Sequence, residues 1–232
     1  MQLRALALAA LLATSFSAQA DRIATWEFTA SSTKPLTANG AAASYSLVGD
    51  VTSSFAQGVG GAQLSALNTT GYKTTAANLS NGIQFNVETT GYSDIQFSFA
   101  QRNSSTASAY TSLQYKAADE TQWTTVKSFK MDPQGANPNW YTLSYDFSSI
   151  TKANDSLSFA VRLVASYGPS GSYVATNTGS TFASSGTIRY DNVTFSGTAI
   201  PDPLPVPEPQ TYALMLAGLA TVAAVARRRR AH

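Results

Sequence analysis

The chain has 232 residues, no cysteine and only 12% charged residues, so an exported form would rest on its core or on bound metal rather than on disulfides. Between Asp21 and Ile200 ten basic residues face eleven acidic ones, a net charge of −1 that leaves no basic stripe for a phosphate backbone and excludes nucleic acid as a partner. The only histidine, His232, lies at the far C-terminus, which excludes Ser-His-Asp, Cys-His and His-metal chemistry from the body.

Residues 1–20 combine Arg4, an apolar stretch from Ala5 to Ala13 and the small-x-small sequence Ala18-Gln19-Ala20. This pattern predicts a signal peptide cleaved before Asp21. Ile23 to Phe28 alternates and reads as a first strand, Ser31 to Ala43 as loop and Ser44 to Val48 as a short strand. Gly58 to Gly61 is turn-rich, and Ala62 to Leu67 reads as a helical turn. Regular period-2 patterning follows in Ile83 to Val87, Ile95 to Phe99, the Leu113 and Tyr115 strand, and Trp123 to Phe129. Met131 to Asn139 reads as loop, Trp140 to Phe147 as strand, and Leu157, Phe159, Val161 and Leu163 as the clearest alternation of all. Tyr167 to Gly186 is a long Gly/Ser/Thr-rich loop with room for a short strand at Tyr173-Val174, and Thr187 to Phe195 is the last strand. About eight short strands and almost no helix predict an all-β, jelly-roll-like antiparallel sandwich over residues 21–200.

Residues 201–209 form a Pro-rich linker, expected to be extended. Residues 210–226 are uncharged and apolar on every face, which predicts a transmembrane helix, and Arg227, Arg228, Arg229 and Arg230 hold the tail 227–232 in the cytoplasm. Val206-Pro207-Glu208-Pro209, the apolar helix with Leu216-Ala217-Gly218-Leu219-Ala220, and the terminal arginine run together resemble a PEP-CTERM sorting tail. The resemblance covers about Val206 to Arg230. It implies a partner, an exosortase-type membrane protease that reads Pro207, Glu208 and Pro209, and a bacterium that exports polysaccharide. The expected itinerary is export, anchoring in the inner membrane and processing to the cell surface or extracellular matrix.

The body, from Trp26-Glu27-Phe28 through Gly91-Tyr92, Ile95 to Thr106, Leu113-Gln114-Tyr115, Trp123 and Arg162 to Ile188-Arg189-Tyr190-Asp191-Asn192-Val193, resembles a galactose-binding-like jelly-roll module. Such modules are usually non-catalytic and many bind glycans. One departure is the turn before Trp123, which reads Asp119-Glu120-Thr121-Gln122 in place of Asp-Gly and implies a longer or differently shaped hairpin.

The resemblance also implies that Glu27 and Asp191, in neighbouring terminal strands, hold a structural calcium. Calcium wants six to eight oxygens, of which two carboxylates would be the start. The alternative is that Asp191 pairs with Arg189 or Arg162 and Glu27 faces solvent. Arg102 and Asn103 open a polar loop where a sugar site would form, against the alternative of an arginine bonding loop carbonyls. Exposed aromatic faces are the usual sugar platforms. Trp123, Trp140, Tyr110, Tyr167 and Tyr173 are the candidates, with Trp140, after Pro138-Asn139, first among them. No acid-pair motif marks a glycosidase. The expectation is therefore a non-catalytic exported module associated with exopolysaccharide or biofilm. The alternatives are a polysaccharide-acting hydrolase and a purely structural surface protein.

Overall fold

The structure, a computed structural model, describes residues 20–38, 40–131, 139–201 and 209–229. The expected signal peptide, apart from Ala20, lies outside these residues, as do Pro207, Glu208 and Arg230. The described residues fall into two units, a β body ending at Ile200 and a C-terminal segment from Pro201.

The body is an antiparallel sandwich of two sheets. One sheet holds β3 (Ala43–Val48), β6 (Gly82–Val87), β11 (Phe159–Ala165), β8 (Tyr110–Lys116) and β9 (Thr124–Lys130), in that order. The other runs β10 (Tyr141–Asp146), β7 (Tyr92–Asn103), β12 (Ile188–Ala199), β1 (Asp21–Trp26) and β2 (Leu36–Thr37). The hairpin of β4 (Thr52–Gly58) and β5 (Gly61–Thr70) joins that second sheet through β5 and β12.

Period-2 alternation explains both sheets. Along β6, Ile83, Phe85 and Val87 are buried while Gln84 and Asn86 are partly exposed; along β11, Phe159, Val161 and Leu163 are buried around a half-exposed Arg162. The inner faces interlock through rings. Trp26 of β1 meets Phe85 of β6 at 5.0 Å between centroids, and Phe97 of β7 meets Phe85 at 6.3 Å. Burial of such side chains, each stabilising by roughly 1.5–3 kcal/mol, is what a chain without disulfides relies on.

Three local expectations change. Ala62 to Leu67 is not a helical turn but part of β5, because Gly60 and Gly61 take φ of 90° and 123° and close a tight hairpin that pairs β5 with β4 and β12. Leu157 lies outside β11 and is 78% exposed, the register with β6 and β8 starting only at Phe159 and Ala160. Glu27 follows β1, whose last residue is Trp26.

The strand β12 has two partners along one edge. Its first part, Ile188 to Tyr190, pairs with β5; its later part, Val193 to Gly197, pairs with β1. The change falls at Asp191-Asn192, where the register with β7 also shifts and Asn192 takes a positive φ of 48°. Thus a carboxylate sits where the sheet forks.

The second unit contains one helix, α1 (Pro209–Arg229), with Leu214, Met215, Leu216, Leu219, Val222 and Val225 exposed and Arg227, Arg228 and Arg229 in its last turn. The expected span 210–226 lies within it. Among the described residues no helix is long and apolar enough to cross a membrane. The uncharged run is short of the roughly 20 residues that a bilayer core requires.

Candidate functional site

The outer face of the five-stranded sheet carries a polar row that crosses every strand. Registers align Ser46, Gln84, Arg162, Gln114 and Thr125. Arg162 donates from Nε to Gln114 Oε1 at 2.5 Å, and Gln114 donates from Nε2 to Thr125 Oγ1 at 2.7 Å. In the next row Gln84 Nε2 donates to Asn86 Oδ1 at 2.7 Å, and Asn86 reaches Ser44. Ser44, Ser46, Gln84, Asn86, Gln114 and Arg162 each stand between two apolar neighbours, so the same alternation that builds the core also builds this face; Thr125, after the exposed Thr124, joins the row through its pairing with Gln114.

Trp123 covers one side of the row. It lies outside β9, and its ring holds the Arg162 guanidinium at 4.4 Å from its centroid and Lys116 Nζ at 5.3 Å. The guanidinium is therefore clamped between an amide and an indole, and burial pulls its pKa below the ordinary arginine value. The connection from β8 to β9 that delivers Trp123 is seven residues, 117–123, braced by Lys152, which bridges Asp119 at 3.1 Å and Glu120 at 3.3 Å. At the opposite side the face opens into two grooves. One, of about 210 Å³, is lined by Ser44, Asn86, Glu88 and Leu157. The other, of about 500 Å³, wraps the free edge of β3 toward Lys34 and Pro35.

Arg102 and Trp140 lie on the other sheet. The pairing of Tyr141 with Gln101 places Trp140, one residue before β10, level with Arg102. Across β7 and β12, Arg102 faces Arg189, and Arg189 faces Asn68. Asn103 points the other way: it is buried, donates from Nδ2 to Ser108 O at 2.7 Å and Thr176 Oγ1 at 3.3 Å, and accepts from Gln101 at 2.8 Å. Gln101 continues to Thr111 on the facing sheet at 2.9 Å. Asn103 is thus separated from Arg102 by the strand itself and takes part in a buried polar chain between the sheets.

Among the tyrosines, Tyr167 meets Tyr173 edge-on at 4.7 Å and Tyr173 stacks on Phe182 at 4.6 Å. Their hydroxyls donate to the carbonyls of Ala76 and Ala77, so this trio fastens the loop 166–187 to the loop 71–81. Tyr110 packs where a Cβ on Gly168 would stand 2.9 Å from its ring. It also lines a groove of about 320 Å³ with Met131 and Asn177.

At the fork in the second sheet, Asp191 is 2% exposed. Its Oδ2 accepts from Val59 N and its Oδ1 from Asn192 N, both at 2.8 Å. Burial raises its pKa; those two N–H groups act against the shift, and the charge of Glu27 adds to it. Asp191 makes no ion pair with Arg189 or Arg162; among the described residues the ion pairs are those of Lys73 and Lys152. Glu27, one residue past the Trp26–Val193 pair, is near enough for its charge to act on Asp191. Among the described residues no group of three or more His, Cys, Asp or Glu side chains gathers in one place. A calcium ion here would draw most of its six to eight oxygens from the backbone and water.

The sequence points to Trp123, Trp140, Arg102 and the carboxylate pair, but not to the amide row or to Arg189 opposite Arg102. Gln84, Asn86, Gln114 and Arg162 were visible as outward residues of strong strands; their alignment depends on registers between strands distant in sequence.

Residues 205–230 match the PEP-CTERM protein-sorting motif. No curated protein matches the chain. Among solved structures, the body is similar to the N-terminal CBM22-1-CBM22-2 tandem domain of Paenibacillus barcinonensis Xyn10C. The identity is 14% and the TM-score 0.49, over 82% of this chain and 52% of that one. It is also similar to the CBM22-2 xylan-binding domain of the same protein, at 13% identity and TM-score 0.42, over 66% of this chain and 91% of that one. A CBM29-2 module complexed with mannohexaose gives 11% identity and TM-score 0.38, over 80% of this chain and 99% of that one. The sorting motif implies export and membrane anchoring before sorting. The chain therefore carries a PEP-CTERM sorting motif at residues 205–230, behind a body that is a two-sheet antiparallel β-sandwich.

Proposed function

We propose that the protein is a non-catalytic module, sorted by an exosortase-type protease, that associates with extracellular polysaccharide through the outer face of its five-stranded sheet. The observation that carries this reading is the row Ser46, Gln84, Arg162, Gln114 and Thr125 with Trp123 at its side. Sugars present hydroxyls in a plane and C–H groups above it. A flat lattice of amides, hydroxyls and one fixed guanidinium answers the first, and an indole answers the second. The amides are already oriented by one another, which lowers the entropy lost on binding. Glu27 and Asp191 take part as a structural calcium site at the sheet fork, away from this face.

The test is retention of the purified protein on a panel of neutral polysaccharides. Trp123→Ala is expected to weaken retention about tenfold or more, the loss of roughly 1.4 kcal/mol or more of binding, with the melting temperature changed by only a few degrees. Retention on no glycan, or equal retention of wild type and variant, overturns the reading. A reducing-end assay on the retained glycan separates the module from a hydrolase: rising reducing ends would make it an enzyme.

A further inference from the structure

We infer that Arg102 and Arg189 form a receptor for an anionic substituent, a carboxylate or a sulfate, on an acidic extracellular polysaccharide. The inference deepens the proposed polysaccharide association and stands on a different face. The two guanidinium-bearing residues are directly opposed across β7 and β12, an arrangement that costs stability because like charges face each other on a sheet. Nothing among the described residues relieves it: neither arginine has a carboxylate partner. Asp191, two residues beyond Arg189, accepts from Val59 N and Asn192 N and pairs with neither arginine. Among the described residues Arg189 donates to Asn68 Oδ1 at 3.4 Å and Gln57 O at 3.3 Å, both at the long end of hydrogen bonding. Most of the donors of the pair are therefore left over.

Between them lies a notch of about 50 Å³, bounded by Arg102, Asn103, Ser104, Thr187 and Arg189. Water occupies about 30 Å³ per molecule in the liquid, so the notch suits one small oxyanion group and not a sugar ring. The rigid fork of a guanidinium matches a carboxylate or sulfate through paired N–H donors. Trp140, one residue before β10 and level with Arg102, would supply the flat face for the ring that bears the group. A body charge of −1 supplies no long basic track, which disfavours a polyphosphate backbone.

The experiment is affinity electrophoresis of the full-length protein in mild detergent, through gels containing polyuronate, dextran sulfate, neutral dextran or single-stranded DNA. Polyuronate or dextran sulfate is expected to retard the wild type, and the stronger of the two identifies the substituent. The R102Q/R189Q variant is expected to lose retardation at least tenfold while melting at the same or a higher temperature, because the opposed charges are gone. Should that variant fail to fold, R102K/R189K keeps the charges and loses the forks, and is expected to bind severalfold more weakly. Absence of retardation by both acidic polymers, equal retardation of wild type and variants, or DNA retarding as strongly as polyuronate overturns the inference. Failure on neutral glycans with acidic retardation still lost in R102Q/R189Q rejects the five-stranded face and leaves the arginine receptor standing.

Discussion

Asp191 shows how one residue organises its surroundings. Its carboxylate ties the β4–β5 turn to the bulge in β12, and the approach at Gly58 is close: a Cβ there would lie 2.7 Å from Asp191 Oδ2 and 2.8 Å from Ser65 O. Gly58→Ala is therefore expected to destabilise the body by about 1–3 kcal/mol, the usual cost of overpacking, measurable by urea unfolding. The same carboxylate with Glu27 carries the calcium proposal. A ligand bound by the native state alone raises stability by mass action, about 2.7 kcal/mol at a hundredfold excess over Kd. The melting temperature is expected to rise in millimolar calcium relative to chelator, and Asp191→Asn is expected to remove the difference. Identical melting in calcium and chelator would dispose of the ion.

At the scale of elements, the buried chain from Thr111 through Gln101 and Asn103 to Thr176 joins the two sheets to the long loop 166–187. In a dry interior such groups are costly to leave unpaired. Asn103→Ala should cost about 1–3 kcal/mol for that reason and should speed amide exchange in 166–187 more than in β6 or β11. Uniform acceleration across the body would mean that the chain does not anchor the loop. The strands themselves were legible wherever one face is buried: Ile95, Phe97 and Phe99 of β7 or Phe159, Val161 and Leu163 of β11 announce their inward side. β4 and β5 were not, because Ser53, Ser54 and Phe55 are all exposed and no alternation arises. What makes them strands is pairing with each other and with β12.

For the whole molecule, the decisive events lie at its ends. Residues 205–230 match the sorting motif, and Ala18-Gln19-Ala20 predicts the other cut. N-terminal sequencing of the exported protein is expected to begin at Asp21; a start at Met1 or Gln2 would refute the signal peptide. The uncharged run 210–226 is short for a permanent anchor. In a host with the sorting protease, extracellular protein is expected to lack Arg227 to Arg230 by mass spectrometry, and replacement of Glu208 should leave the full-length form in the membrane. Extracellular protein that retains the arginines would mean that the tail is not processed.

The sequence by itself determined the class of the fold, the inward face of most strands, the sorting tail and the narrow range of chemistry open to a body with neither histidine nor cysteine. These are local or compositional properties: period-2 alternation, proline placement and charge runs are complete within a few residues. Only the tertiary structure decided which outward residues stand together. Gln84, Gln114 and Arg162 form a row because β6, β8 and β11 are neighbours, and Arg102 opposes Arg189 because β7 pairs with β12. It also put Asn103 on the buried side of its strand while Arg102 took the other. Register over such sequence separations is fixed by how the buried faces pack, and no short stretch of the chain contains that information.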